Sequence, residues 1–127
     1  MEQLIALILQ TIQDNITLSD TLELRQLPEA GGLAVQIAPS APEHISLNKK
    51  EAYELNLLFL SKNFNQLTAF SELSLIDKYV SRLKTYPNTI DIEWVNATTT
   101  TKPAYVDTED NGQFIYSMVL SCLISDL

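Results

Sequence analysis

From Phe114 to Ile124 every second residue is apolar: Phe114, Tyr116, Met118, Leu120, Cys122 and Ile124 all point one way if the backbone is extended. A helix would scatter those six side chains around its axis, so the run predicts one long β-strand. Just before it stands Asn111-Gly112, two residues that accept positive φ and together form a strong hairpin signal. The strand therefore has a partner arriving from before residue 110, and it needs a covering layer for its apolar face.

Other segments supply the rest of a sheet. Tyr53, Leu55, Leu57 and Phe59 share one face of a strand in Tyr53 to Leu60, and Leu58 and Leu60 make its second face apolar, as in a central strand. Leu22 to Arg25 and Leu33 to Ile37 alternate on either side of Pro28-Glu-Ala-Gly-Gly32, which predicts a hairpin. A loop bearing Pro39 and Pro42 follows. Ile90 to Val95 is a further strand, with Ile90, Ile92 and Trp94 inward and Asp91 and Glu93 toward solvent.

Two helices complete the set. In Glu2 to Asp14 the polar residues cluster on one side of the helical wheel, leaving Leu4, Ile5, Leu7, Ile8, Leu9 and Ile12 over most of the rest. That arc is wider than one sheet needs, and either deep burial or contact with another subunit accounts for it. Asn65 caps a second helix whose inner positions Ala69, Leu73, Ile76, Val80 and Leu83 keep a three-or-four spacing, and Pro87 forbids its continuation. The expected fold is α+β: a mainly antiparallel five-stranded sheet with two helices on one face, in the order α-β-β-β-α-β-β. At 127 residues the chain is one domain, 1–127, without repeat or linker.

Composition narrows the chemistry. Sixteen acidic against eight basic residues give a net charge of −8, which disfavours nucleic acid and anionic lipid as partners. The apolar run Leu4 to Leu9 is too short to span a bilayer and lacks the basic start of a secretory signal, so a cytosolic protein is expected. In that compartment the triplets Asn15-Ile-Thr17 and Asn96-Ala-Thr98 match the glycosylation pattern by chance. Cys122, the only cysteine, lies in the strand run and is expected to be a buried thiol.

Catalytic constellations are missing. His44 is the only histidine and is expected on a surface loop. The glycines Gly31, Gly32 and Gly112 form neither a phosphate loop nor a nucleophile elbow. Asp107-Thr-Glu-Asp-Asn-Gly112 begins like a calcium loop, but its twelfth place is Met118 and a strand follows, so a turn is the better reading. No catalytic residue, cofactor or metal is expected. A pocket joining two or more of Asp77, Asp91, Glu93 and His44 would revive an enzyme.

Three segments carry a resemblance: Leu33-Ala-Val-Gln-Ile-Ala-Pro39, Tyr53-Glu-Leu-Asn-Leu-Leu-Phe-Leu-Ser-Lys-Asn63 running into the helix from Gln66, and Asp110-Asn-Gly-Gln-Phe-Ile-Tyr-Ser-Met-Val-Leu120. With the element order, they resemble the small tail terminator proteins of long-tailed bacteriophages and prophages, often labelled minor capsid or head-tail joining proteins. The likeness spans nearly the whole chain, yet its motifs specify a sheet and turns rather than a chemical group. It implies a non-catalytic structural subunit of a homo-oligomeric ring, typically a hexamer, that caps the tail tube and joins tail to head during virion assembly. Its partners would be the tail tube and head-completion proteins, first in the host cytoplasm and then in the virion tail. The alternative is another small phage adaptor or protein-binding module. Assembly contacts are expected at Leu4, Ile8, Thr98, Thr99, Thr100, Lys102 and Tyr105. The polar, extended stretch that holds the last five belongs to the final hairpin, and its threonines either pair with the last strand or stand out as an open arm that meets a neighbour.

Overall fold

The computed structural model describes residues 2–38, 44–47, 50–89 and 91–126. Its elements are α1 (Glu2–Asn15), β1 (Gly32–Ala38), β2 (His44–Leu47), β3 (Lys50–Asn63), α2 (Gln66–Ser81), β4 (Ile92–Thr108) and β5 (Phe114–Asp126). The fold is α+β, with two helices and an antiparallel sheet. The main path of the sheet is β1-β3-β5-β4, and the short β2 pairs separately with the start of β3.

β3 and β5 form the middle of the sheet because their apolar alternations match in register: Leu55 faces Cys122, Leu57 faces Leu120 and Phe59 faces Met118. All six are buried, and they share one core with Leu33 and Val35 of β1, Trp94 of β4 and the inner faces of both helices. The three segments that carry the resemblance thus fall on β1, β3 and β5, which are neighbours; Pro39 lies outside the described residues.

α2 begins where Asn65 accepts a hydrogen bond from the Thr68 N–H at 3.1 Å, satisfying one of the free N–H groups of the first turn. It ends at Ser81, earlier than the apolar spacing suggests, because Arg82 and Leu83 donate to Tyr79 and Val80 in tighter i→i−3 bonds. Leu83 still packs against the core from beyond the helix. In α1, Leu4, Ile5, Ile8, Leu9 and Ile12 are all buried, so deep burial accounts for the wide arc.

Three expectations about the strands need correction. Leu22 to Arg25 is no hairpin strand: it touches β1 through a single parallel bridge, Leu24 to Val35. The reason lies in side chains that occupy the edge of β1. Asp20 accepts from the Leu33 N–H at 3.1 Å, and the Arg25 guanidinium donates to the Leu33 carbonyl at 2.9 and 3.1 Å. A ladder partner would have needed those same groups. Second, His44 is not in a loop but opens β2, so the expected five strands are not the ones found.

Third, the strand expected at Ile90 to Val95 runs from Ile92 to Thr108 and absorbs the threonine run; Ile90 itself lies outside the described residues. Thr98, Thr99 and Thr101 pair with Ser121, Leu120 and Val119, so residues 98–108 are sheet and not an open arm. The turn expected at Asn111-Gly112 is found, in a hairpin loop of three residues from Asp110 to Gly112. Gly112 donates to the Glu109 carbonyl at 2.8 Å and Glu109 donates to the Gln113 carbonyl at 2.9 Å, with Gly112 at φ +92°.

Asp20 adds a pH term. Burial would raise the pKa of its carboxyl, but the N–H groups of Leu33 and Thr21, with Arg25, outweigh that and hold it below its ordinary 3.8. A carboxylate depressed on folding stabilises above its unfolded pKa, and the contribution is lost as pH falls through the folded value. Asp20→Asn is therefore expected to destabilise at neutral pH and to flatten the loss of stability below about pH 4. Urea midpoints across acid and neutral pH check this, and an unchanged acid slope would count against it.

Candidate functional site

β4 is an edge strand, and its sequence shields that edge. Its register against β5 slips at four places between Trp94 and Asp107, and Pro103 has no N–H to offer. Bulges and proline of this kind discourage an added strand, so contacts on this side are made by side chains.

The threonines divide between the two faces. Thr99 faces the helices, where its hydroxyl donates to Asp77 of α2 at 2.6 Å, and Lys102 adds an ion pair to the same carboxylate at 3.0 Å. Lys102 is largely exposed, so this pair contributes about 1 kcal/mol or less, and it fixes the direction of the side chain more than it stabilises. Thr98 and Thr100 point to the opposite, helix-free face, where with Glu54, Asn96, Ser121 and Leu123 they line a shallow hollow of about 300 Å³. That face continues through Leu58, Leu60 and Val119, which are half-buried only by their neighbours in the sheet.

Tyr105 lies farther along β4 on the helix side. Its ring meets Tyr116 edge-on at 5.8 Å, and Phe70 of α2 meets the same Tyr116, also edge-on at 5.8 Å. Gln66 donates to the Tyr116 hydroxyl at 2.9 Å. Tyr116 is buried, yet Tyr105, Phe70 and Leu67, one turn before Phe70 on α2, are exposed, Leu67 by 71%; exposed Phe64 lies apart, beside Asp20 and Gly31. An apolar, aromatic ridge thus lies along the β4 side of α2, of the kind that marks a protein contact.

The loop end of the hairpin is fixed by an ion pair. Lys62 of β3 is only 5% exposed, and its ammonium reaches Glu109 at 2.8 Å. Removing the acid leaves a buried cation, whereas removing both charges does not. Glu109→Gln is expected to cost about 1–2 kcal/mol, discounted because Glu109 is one-third exposed, and Lys62→Met with Glu109→Gln is expected to cost less. Chemical denaturation of the single and double variants measures the difference, and a more damaging double variant would refute the account.

Of the expected contact residues, the structure keeps Thr98, Thr100, Lys102 and Tyr105 at the surface and Thr99 partly so. Leu4 and Ile8 are corrected: both are completely buried in the core, and they serve the fold. Phe64, Leu67 and Phe70 were missed, although the helical wheel places Leu67 and Phe70 outside the buried arc of α2. The acidic residues set aside earlier do not converge. Asp77 is on the helix side of the sheet, while Glu93 sits opposite Ser125 on the other face. Asp91 is exposed.

Cys122 is buried, and burial pushes its thiol pKa up to about 12, even with Trp94 as a partner. The thiolate is therefore absent at neutral pH, and Cys122 is expected to react with Ellman's reagent only as fast as the protein unfolds. Rapid labelling in buffer would contradict this. Among the described residues no three His, Cys, Asp or Glu side chains gather as a metal site requires, and no helix is long and apolar enough to cross a membrane. No protein-family model matches the chain, and no curated protein matches it by sequence.

Proposed function

We propose that this protein is a structural tail terminator of a long-tailed bacteriophage or prophage, a ring subunit that caps the tail tube and offers the surface for the head. The observation that carries the reading is the position of the three resembling segments. They are separate in sequence, yet they form the adjacent strands β1, β3 and β5, so the likeness follows one continuous sheet. The ridge around Tyr105 and Phe70 supports it, since a small acidic chain with exposed aromatics needs partners to cover them.

The role is non-catalytic and needs no cofactor. Net charge −8 suits a ring through which DNA passes, because a lumen lined by acidic groups would not retain the phosphate backbone. The ring size expected from the resemblance is a hexamer, working in the host cytoplasm during assembly and in the virion tail afterwards. Electron microscopy of purified tail tubes incubated with the protein tests the reading. Rings at tube ends are expected, and bare tube ends at saturating protein would sink it in favour of a different adaptor.

A further inference from the structure

We propose that neighbouring ring subunits join head to tail: the ridge of α2 and β4 in one copy seats in the groove between α1 and residues 21–24 of the next. The inference rests on the ring reading above and names the surfaces that would build it.

The groove has a volume of about 420 Å³, with Ile5, Leu9 and Leu22 beneath and Ala6 and Leu24 at its sides. Its polar lining is Glu2, Gln10, Gln13, Thr21 and Glu23, around an apolar floor. Because Leu24 bridges to Val35, the groove lies at the β1 edge of the sheet. The ridge lies at the β4 edge, the far end of the order β1-β3-β5-β4. Two different patches at opposite edges of one molecule make a heterologous contact, and such contacts generate rings when the rotation closes.

Charge favours the same pairing. Copies of a chain with sixteen acids and eight bases repel one another unless each contact joins opposite signs. Glu2 and Glu23 stand exposed at the groove; Arg25 is bound to Asp20 at 2.6 Å and only loosely to Glu23 at 3.8 Å, which leaves the groove acidic on balance. On α2, Lys78 follows Leu67 by three helical turns and is exposed on the same side; exposed Arg82 follows one turn later, at the C-cap. A basic and apolar ridge thus meets an acidic and apolar groove.

Area argues for a ring over an isolated pair. Side chains as exposed as Leu67, Phe70 and Tyr105 offer on the order of 300 Å² of apolar surface, less than half the roughly 800 Å² per partner of a stable two-body interface. One such contact is weak, whereas closure gives every subunit two. The outer edge groups of Leu33 and Val35 are bonded, and β4 is bulged, so strand addition is disfavoured at both of these places.

Native mass spectrometry and sedimentation velocity of the full chain test the contact with two variants, Leu67→Glu on the ridge and Ala6→Arg at the groove. Both positions are exposed on helices, and circular dichroism melts confirm folding. Wild type is expected to form rings, and each variant alone is expected to lose them. Mixed one to one at high concentration, the variants are expected to form a weak, concentration-dependent heterodimer and nothing larger, since one sound ridge meets one sound groove. Rings undiminished in both variants, or a symmetric dimer formed by either alone, would overturn the contact while leaving the ring reading intact. Loss of tube binding but not of rings in Leu67→Glu would assign the ridge to the tube and also overturn it. A wild-type protein that stays monomeric at every concentration and leaves tube ends bare would remove the ring reading and this contact together.

Discussion

Replacing Trp94 with alanine is expected to lower the unfolding free energy by about 3–5 kcal/mol, the largest effect of any single truncation in this core. The ring is 1% exposed, lies against Tyr86 at a centroid distance of 4.8 Å, and donates its Nε1–H to the Asn96 carbonyl at 3.1 Å. Alanine removes the contacts and leaves that carbonyl without its donor, at the place where β4 slips register between Trp94 and Asn96. Trp94→Phe keeps most of the volume and is expected to recover more than half of the loss. Urea unfolding followed by circular dichroism measures both, since Trp94 is the only tryptophan and its fluorescence goes with it. A loss below about 1 kcal/mol for alanine would mean that the Trp94 site collapses without consequence.

Gly32→Ala is expected to be comparably damaging, at about 3–5 kcal/mol, although it adds a single methyl group. Gly32 has φ +133°, where side chains are strained, and an added Cβ would run into the Asp20 carboxylate. That carboxylate is the group that accepts from Leu33 and Thr21 and binds Arg25. The methyl therefore strains the backbone and displaces the charge that organises the edge of β1. Gly112→Ala is the comparison: it is also at positive φ, but open space surrounds it, so only the backbone strain of about 1–3 kcal/mol is expected. Thermal and urea melts of the two variants separate the contributions, and equal losses would show that Asp20 yields freely.

The sequence made the central layer readable because alternation there is nearly unbroken. The inward faces Leu55, Leu57 and Phe59, and Met118, Leu120 and Cys122, are each legible from alternation, as are Asn65 as a cap and Gly112 in a turn; that the two strands pair with each other is not. The errors arose where a pattern was satisfied by something other than a ladder. Leu22 and Leu24 alternate as a strand does, yet Leu22 is buried as part of a connection, and Asp20 and Arg25 take the backbone groups of Leu33. Threonine after threonine in residues 98–101 carries no apolar period, so the reach of β4 was hidden until β5 supplied its partners. The surface was hardest of all. Leu67 and Phe70 are ordinary helix residues in sequence, and only Tyr105 and Tyr116, far along the chain, make a ridge of them.

β3 is the strand on which the others converge: it pairs with β1, β2 and β5, while β4 joins through β5 alone. Its partner on one side arrives some sixty residues later in the chain, after α2 and all of β4. Until then Leu55, Leu57 and Phe59 have no neighbour on that flank, and β4 has no sheet to join. Folding must close this long loop before most of the pairing is gained, so it should be slow and all-or-none for a domain this small. A half-formed chain would expose the apolar faces of its central strands, and a fold with no stable halfway state keeps that surface covered.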